Sequence, residues 1–216
     1  MQKIKNVLAH KFLKILKWVF LILLGLFVLL IIGRLIFRSN LEKTNIQVEK
    51  IHATKLTLKD VMGDNLPPDP GTEADKTIVG IDVNENGIRD DVELAVFKEY
   101  PNSAKTRAAL LQYALALQME VIQPMVNTTI VDKVIGEQSR ADACIANSLV
   151  PRKTPESSRD NLDMEKIDEF ISFVENKQLN TEVRKKSQID FYKNLGNFAN
   201  STKTEECDID YSSFPN

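Results

Sequence analysis

Residues 18–33 run for sixteen positions without a charge, and no other feature restricts the fate of this chain as much. Lys17 and Arg34 border the run and can bend their charged heads toward water. Counted over 15–37, a helix of 23 residues covers a hydrocarbon core of about 30 Å at about 1.5 Å per residue. The segment is therefore expected to cross a membrane and to hold lipid as its first partner. A secretory signal peptide has the same basic start and apolar run, and it stands as the alternative. Residues 31–39 are bulky where a cleavage site needs small side chains, and no Cys lies nearby to accept a lipid. An uncleaved anchor is the expectation.

Charge is distributed unevenly around this segment. Lys3, Lys5, Lys11, Lys14, Lys17, Arg34 and Arg38 lie within the first forty residues, where there is no acid. Of 28 basic and 30 acidic residues in the whole chain, 21 basic and all 30 acidic ones follow, a net charge of −9 past the anchor. Nucleic acid, which needs a basic surface, is excluded as a partner on this ground, whereas a divalent cation fits. The Lys and Arg count favours a cytoplasmic N-terminus only slightly. Glu42 and Glu49 dilute the far side, and both cysteines lie in the C-terminal region, which suits an oxidising compartment. The expected order is a cytoplasmic basic tail at 1–14, a transmembrane anchor at 15–37, a stalk or linker at 38–71 and an extracytoplasmic helical domain at 72–216.

The fold class expected is mainly α: an N-terminal transmembrane helix, then a small irregular helical bundle with one EF-hand-like loop. In the stalk, 46–58 reads as a short strand, and Pro67, Pro68 and Pro70 enforce an extended turn. Helical order is expected to begin after the loop, with a helix from Asp90 to Tyr100 stopping before Pro101. Ser103 then caps a helix whose core face is Leu110, Ala114, Leu117, Val121 and Met125, and Pro124 ends or kinks it. Asn127 caps a third helix carrying Val131, Val134, Ala141 and Ile145, followed by a loop over 151–161. Ile167, Phe170, Ile171 and Val174 mark a fourth, and Val183, Phe191, Leu195 and Phe198 a last one. A bond between Cys144 and Cys207 would tie the chain end to the bundle, worth about 4 kcal/mol as an upper figure. Two free thiols are the alternative.

The chemistry-bearing segment is 82–93, which reads DVNENGIRDDVE. Numbered from Asp82 it matches the twelve-residue calcium loop, with side-chain oxygens at 1, 3, 5 and 9, Gly at 6 and Glu at 12. The metal ligands expected are Asp82, Asn84, Asn86, the carbonyl of Ile88, Asp90 and Glu93. Calcium is a hard ion that takes six to eight oxygens at about 2.3–2.6 Å, so short Asp and Asn side chains are needed where the backbone wraps close. Gly87 supplies the positive φ that reverses the loop, and Glu93 in the first helical turn closes the sphere. Only three ligands are charged, which points to an affinity of about 10⁻⁴ M or poorer and about 1.4 kcal/mol of stabilisation in millimolar calcium. The alternative is a metal-free Asn-Gly turn leading into a helix.

Two departures from an EF-hand are visible. Position 8, usually apolar and paired with a second loop, is Arg89, and there is no second loop. Residues 76–81 before the loop read as β-like, so an entering helix is not expected. In both respects the loop resembles those of thrombospondin type 3 repeats and bacterial extracellular modules. LPPDPG at 66–71, GIDVNENGIRDDVE at 80–93 and YPNSAKTRAALLQYALALQ at 100–118 together resemble a family of bacterial envelope proteins without known activity. The resemblance covers about a quarter of the chain. It implies an envelope location, here the bacterial inner membrane with the C-terminal domain in the periplasm.

The function expected is that of a membrane-tethered, calcium-stabilised binding or structural module facing an unknown envelope protein. An enzyme, such as a periplasmic hydrolase using carboxylates, is the opposing class. The sequence has no nucleophile elbow, HExxH or phosphate-cradling loop, and its only His beyond the anchor, His52, falls in the expected stalk. An assembly subunit built around the membrane helix is a third class, though Gly25 and Gly33 lack GxxxG spacing.

Overall fold

The computed structural model describes residues 2–154, 157–196, 205–210 and 214. Among these the chain is mainly helical, without strands: α1 Gln2–Ala53, α2 Leu58–Met62, a 3₁₀ turn Gly71–Asp75, α3 Asp90–Glu99, α4 Ala104–Ile122, α5 Thr128–Leu149, α6 Asn161–Gln178 and α7 Glu182–Tyr192. They divide into two compact units, Met1–Ile46 and Gln47–Asn216.

The first unit is one stretch of α1, long and apolar enough to cross a membrane, with none of its apolar window buried. From Leu13 onward its Leu, Ile, Val and Phe side chains are exposed on every side, among them Phe20, Leu24, Phe27, Leu30 and Phe37. A helix apolar all round has no polar face to give to water.

The second unit corrects several expectations. The strand expected at 46–58 is helix: α1 continues to Ala53 and α2 begins at Leu58. Residues 38–71 do not behave as a free stalk, because Ile51, Leu56 and Val61 are buried in the same core as α3–α7. β-branched residues misled the sequence reading here, since burial of one face outweighs a weak local preference. Thr57 and Asp60 form a reciprocal capping box that starts α2, and Gly63, at φ 79°, ends it by donating to the Lys59 carbonyl. Helical order thus precedes the loop, and 76–81 forms bends and turns with no strand.

The later caps fall where their residue types predict. Ser103 accepts from Thr106 N at 3.2 Å, Asn127 from Ile130 N at 3.1 Å and Asp160 from Asp163 N at 2.9 Å. α4 departs from the one-faced helix expected, for every residue from 107 to 120 is buried. It lies in contact with α2, α3, α5, α6 and α7. Its buried Ala104, Ala108, Ala109, Ala114 and Ala116 leave room for neighbours on all sides. Its polar side chains are not wasted. Arg107 donates to the carbonyls of Val61, Tyr100 and Pro101, Gln112 to that of Glu206, and Gln118 to that of Val79. α7 ends at Tyr192. Of the face expected on it, Phe191 is buried and Leu195 packs against the core, but Val183 is exposed; Phe198 lies outside the described residues.

Cys144 and Cys207 are joined in a disulfide. Around it, the tail is held by Arg140, which donates to the Glu205 carbonyl at 2.7 Å and pairs with Asp208. Asp208 also accepts from Leu56 N at 3.1 Å. His52, expected in a stalk, sits on α1 with Nδ1 2.8 Å from Glu137 Oε1.

Candidate metal-binding loop

Residues 82–89 form a tight loop that delivers its side chains onto the first turn of α3. Asp82 sits at its centre, accepting from Asn86 N at 3.2 Å and Gly87 N at 2.9 Å. Gly87 has φ 85°, the conformation its loop position demands, and a Cβ there would lie 2.8 Å from Leu115 Cδ1. Asn86 Oδ1 accepts from Ile88 N at 2.9 Å, so the backbone turns about its own side chain. Ile88 is fully buried, as expected of a residue whose carbonyl and side chain serve opposite faces. Asp90 closes the other end: its carboxylate accepts from Val83 N at 3.0 Å while its own N donates to the Ile81 carbonyl at 2.9 Å.

The third, fifth and twelfth positions converge. Asn84 Nδ2 donates to Glu93 Oε2 and Asn86 Nδ2 to Glu93 Oε1, each at 3.1 Å. Asn84 Nδ2 also donates to the Asn65 carbonyl at 2.9 Å, a contact from outside the loop. With both amide hydrogens engaged, Asn84 Oδ1 is left buried without a hydrogen-bond partner. An orphaned acceptor of this kind costs about 1–3 kcal/mol.

The electrostatics run the same way. Burial pushes Glu93 up to about 7, with the charges of Asp60 and Asp90 adding to the effect and the two Asn amides opposing it. Burial also raises Asp82 and Asp90 above the usual carboxylate range, even though backbone N–H groups oppose it at both. One acceptor, Asn84 Oδ1, is thus left over among carboxylates that burial penalises, a setting that a bound cation would relieve. Tested against the donor set, calcium fits: side-chain oxygens of Asp82, Asn84, Asn86, Asp90 and Glu93 and the Ile88 carbonyl are hard ligands on one short loop. Among the described residues no three His, Cys, Asp or Glu side chains already form a metal cluster. Here two donors are amides and one is a carbonyl, and the Asn amides turn nitrogen rather than oxygen toward Glu93.

Sequence reasoning missed the surroundings. Arg89, noted only as a departure, is fully buried and binds Asp91 through Nε at 2.9 Å and the Gln178 carbonyl through Nη1 at 2.8 Å. Asp91 is therefore the ion-pair partner of Arg89. Arg184 performs a similar task from α7, donating to the carbonyls of Ala74, Thr77 and Ile78 and to Asp75. A cleft of about 630 Å³ elsewhere is lined by Lys105, Asn147, Ser148, Cys207 and Asp208. The shifted carboxylates Glu120 and Asp142 do not line it. Compared with protein-family models, curated proteins and solved structures, the chain matches none.

Proposed function

We propose that this protein is a single-pass membrane protein of the bacterial envelope whose helical domain, outside the cytoplasm, is clipped by calcium and binds or braces another envelope component. The observation that carries the calcium reading is the meeting of Asn84 and Asn86 on the Glu93 carboxylate, beside the orphaned Asn84 oxygen. Rotation of the two amides would turn two oxygens toward a bound cation, beside the Glu93 carboxylate, and relieve that orphan. Asp82, Asp90 and the Ile88 carbonyl would supply the rest, and calcium would contribute positive charge among acids that burial otherwise penalises. Anchorage is supported by the apolar helix and the topology by the Cys144–Cys207 bond, since disulfides persist in oxidising compartments.

The test is a thermal melt of the full chain in detergent micelles, in EDTA and in millimolar calcium, with Glu93→Gln alongside. Calcium should raise the midpoint by roughly 3–6 °C, and the variant should lose the rise. Equal melts for the parent chain in both conditions would overturn the calcium reading and leave the loop as a capped turn.

A further inference from the structure

Four helices meet at polar side chains that the calcium loop does not use. Tyr113 and Glu120 come from α4, Gln138 and Asp142 from α5, Glu175 from α6, and Gln188 and Tyr192 from α7. Tyr192 Oη lies 2.8 Å from Glu120 Oε1 and 2.8 Å from Gln138 Oε1. Tyr113, beside the Gln138 side chain, donates to Glu175 Oε1 at 2.9 Å. Gln188 Nε2 braces the other Glu120 oxygen at 3.0 Å. Asp142 faces Glu175 and Tyr113, with one carboxylate oxygen buried and unpartnered. Among the described residues, none of the three acids forms an ion pair.

The hydrogens around Tyr192 can be counted. Its phenol has one hydrogen and faces two oxygens, Glu120 Oε1 and Gln138 Oε1. One hydrogen cannot fill both contacts. The second is filled when Glu120, buried and without a cation, carries a proton of its own.

We propose that this chain of side chains is a proton-binding site, loaded with one proton carried by Glu120, and that the bound proton holds α7 against α4 and α5. Loading takes the proton from solvent and neutralises one buried carboxylate; unloading returns it and leaves two acceptors facing each other across Tyr192. Burial supports the assignment by pushing Glu120 up to about 7, with the negative charge of Glu175 adding to it. The ordinary Glu value is 4.5, so the stabilisation is fully present below that pH and is lost as pH rises through about 7. Asp142, pushed up to about 6 by burial and Glu175, raises the cost of further charge in the same direction.

The test is infrared spectroscopy and thermal melting of the full chain in detergent, in a Glu93→Gln background because burial also raises Glu93 to about 7, with ¹³C-labelled glutamate to separate Glu from Asp. A protonated-carboxyl band should be present at about pH 6, halve near pH 7 and be missing from Glu120→Gln. The melting midpoint should fall by roughly 5 °C or more from about pH 6 to pH 8.5, and by less than half as much in the Glu120→Gln variant, whose amide supplies the missing hydrogen at every pH. If Glu120→Gln does not fold, Tyr192→Phe, which cuts the chain, should shift the band to lower pH. A parent spectrum without the band across this range, or a midpoint independent of pH, overturns the proposal.

Discussion

The guanidinium of Arg89 and the main-chain carbonyl of Gln178 are 2.8 Å apart, joining the start of α3 to the end of α6. In a paired EF-hand the eighth loop position faces a second loop; here it faces a helix C-terminus, whose unpaired carbonyls attract a cation. Arg89 is wholly enclosed, and its Nη2 lies 2.5 Å from Asp91. Replacing it with Met should cost about 3 kcal/mol, because both the carbonyl and Asp91 lose their partner. Urea unfolding checks this. A change under about 0.5 kcal/mol would show the bond to be inconsequential.

Gly80 should tolerate no side chain. Its φ is +77°, and a Cβ would lie 2.8 Å from Arg89 Cδ. Gly80→Ala combines left-handed strain of about 1–2 kcal/mol with displacement of Arg89. Its effect should therefore be less than additive with Arg89→Met in a double-mutant cycle. Full additivity would mean that the two sites do not share the contact.

Cleaving the disulfide should weaken the domain without dissolving the tail's attachment. Loop entropy over a separation of 63 residues sets an upper figure of about 4 kcal/mol. Arg140 and Gln112 still grip the tail through the carbonyls of Glu205 and Glu206. Cys207→Ser should lower the melting midpoint by roughly 5–15 °C while leaving the far-ultraviolet circular dichroism helical. Loss of that signal at low temperature would contradict the retained grip.

Glu137 should be more sensitive to truncation than to neutralisation. It accepts from His52 at 2.8 Å, Lys55 at 2.9 Å and Arg140 Nε at 2.8 Å, and it is nearly buried. Glu137→Ala strips partners from three donors and should cost about 3–5 kcal/mol, whereas Glu137→Gln keeps an acceptor and should cost less. Chemical denaturation of both variants decides. The reverse order would mean that the charge, and not the presence of an acceptor of this shape, holds this junction.

If α1 is an anchor, the chain should stay with the membrane pellet after alkaline carbonate extraction, and removal of residues 1–46 should release it. Recovery of the full chain in the supernatant would contradict a spanning helix.

Local chemistry was legible wherever a side chain acts on its own neighbours. The caps at Ser103 and Asn127, the turn at Gly87 and the stops before Pro101 and Pro124 depend on bonds a few residues long, which residue types announce. The disulfide was legible because only two cysteines exist. The 46–58 segment was not, because its helix is decided by what Ile51, Leu56 and Val61 pack against. Arg89 was seen as an exception without its reason, since its partner lies 89 residues away.

What the sequence determined by itself is therefore the apolar N-terminal helix, the mainly helical class, the order of donors along 82–93 and most helix ends, all of which follow from period, charge and short-range hydrogen bonding. Only the tertiary structure decided that α4 is enclosed on every side, that Asn84 and Asn86 meet on Glu93, and that Glu120 and Gln138 meet on the Tyr192 hydroxyl. Those relations join residues far apart in sequence, and burial is what gives each its energetic weight: in water the same groups would be satisfied by solvent and would specify nothing.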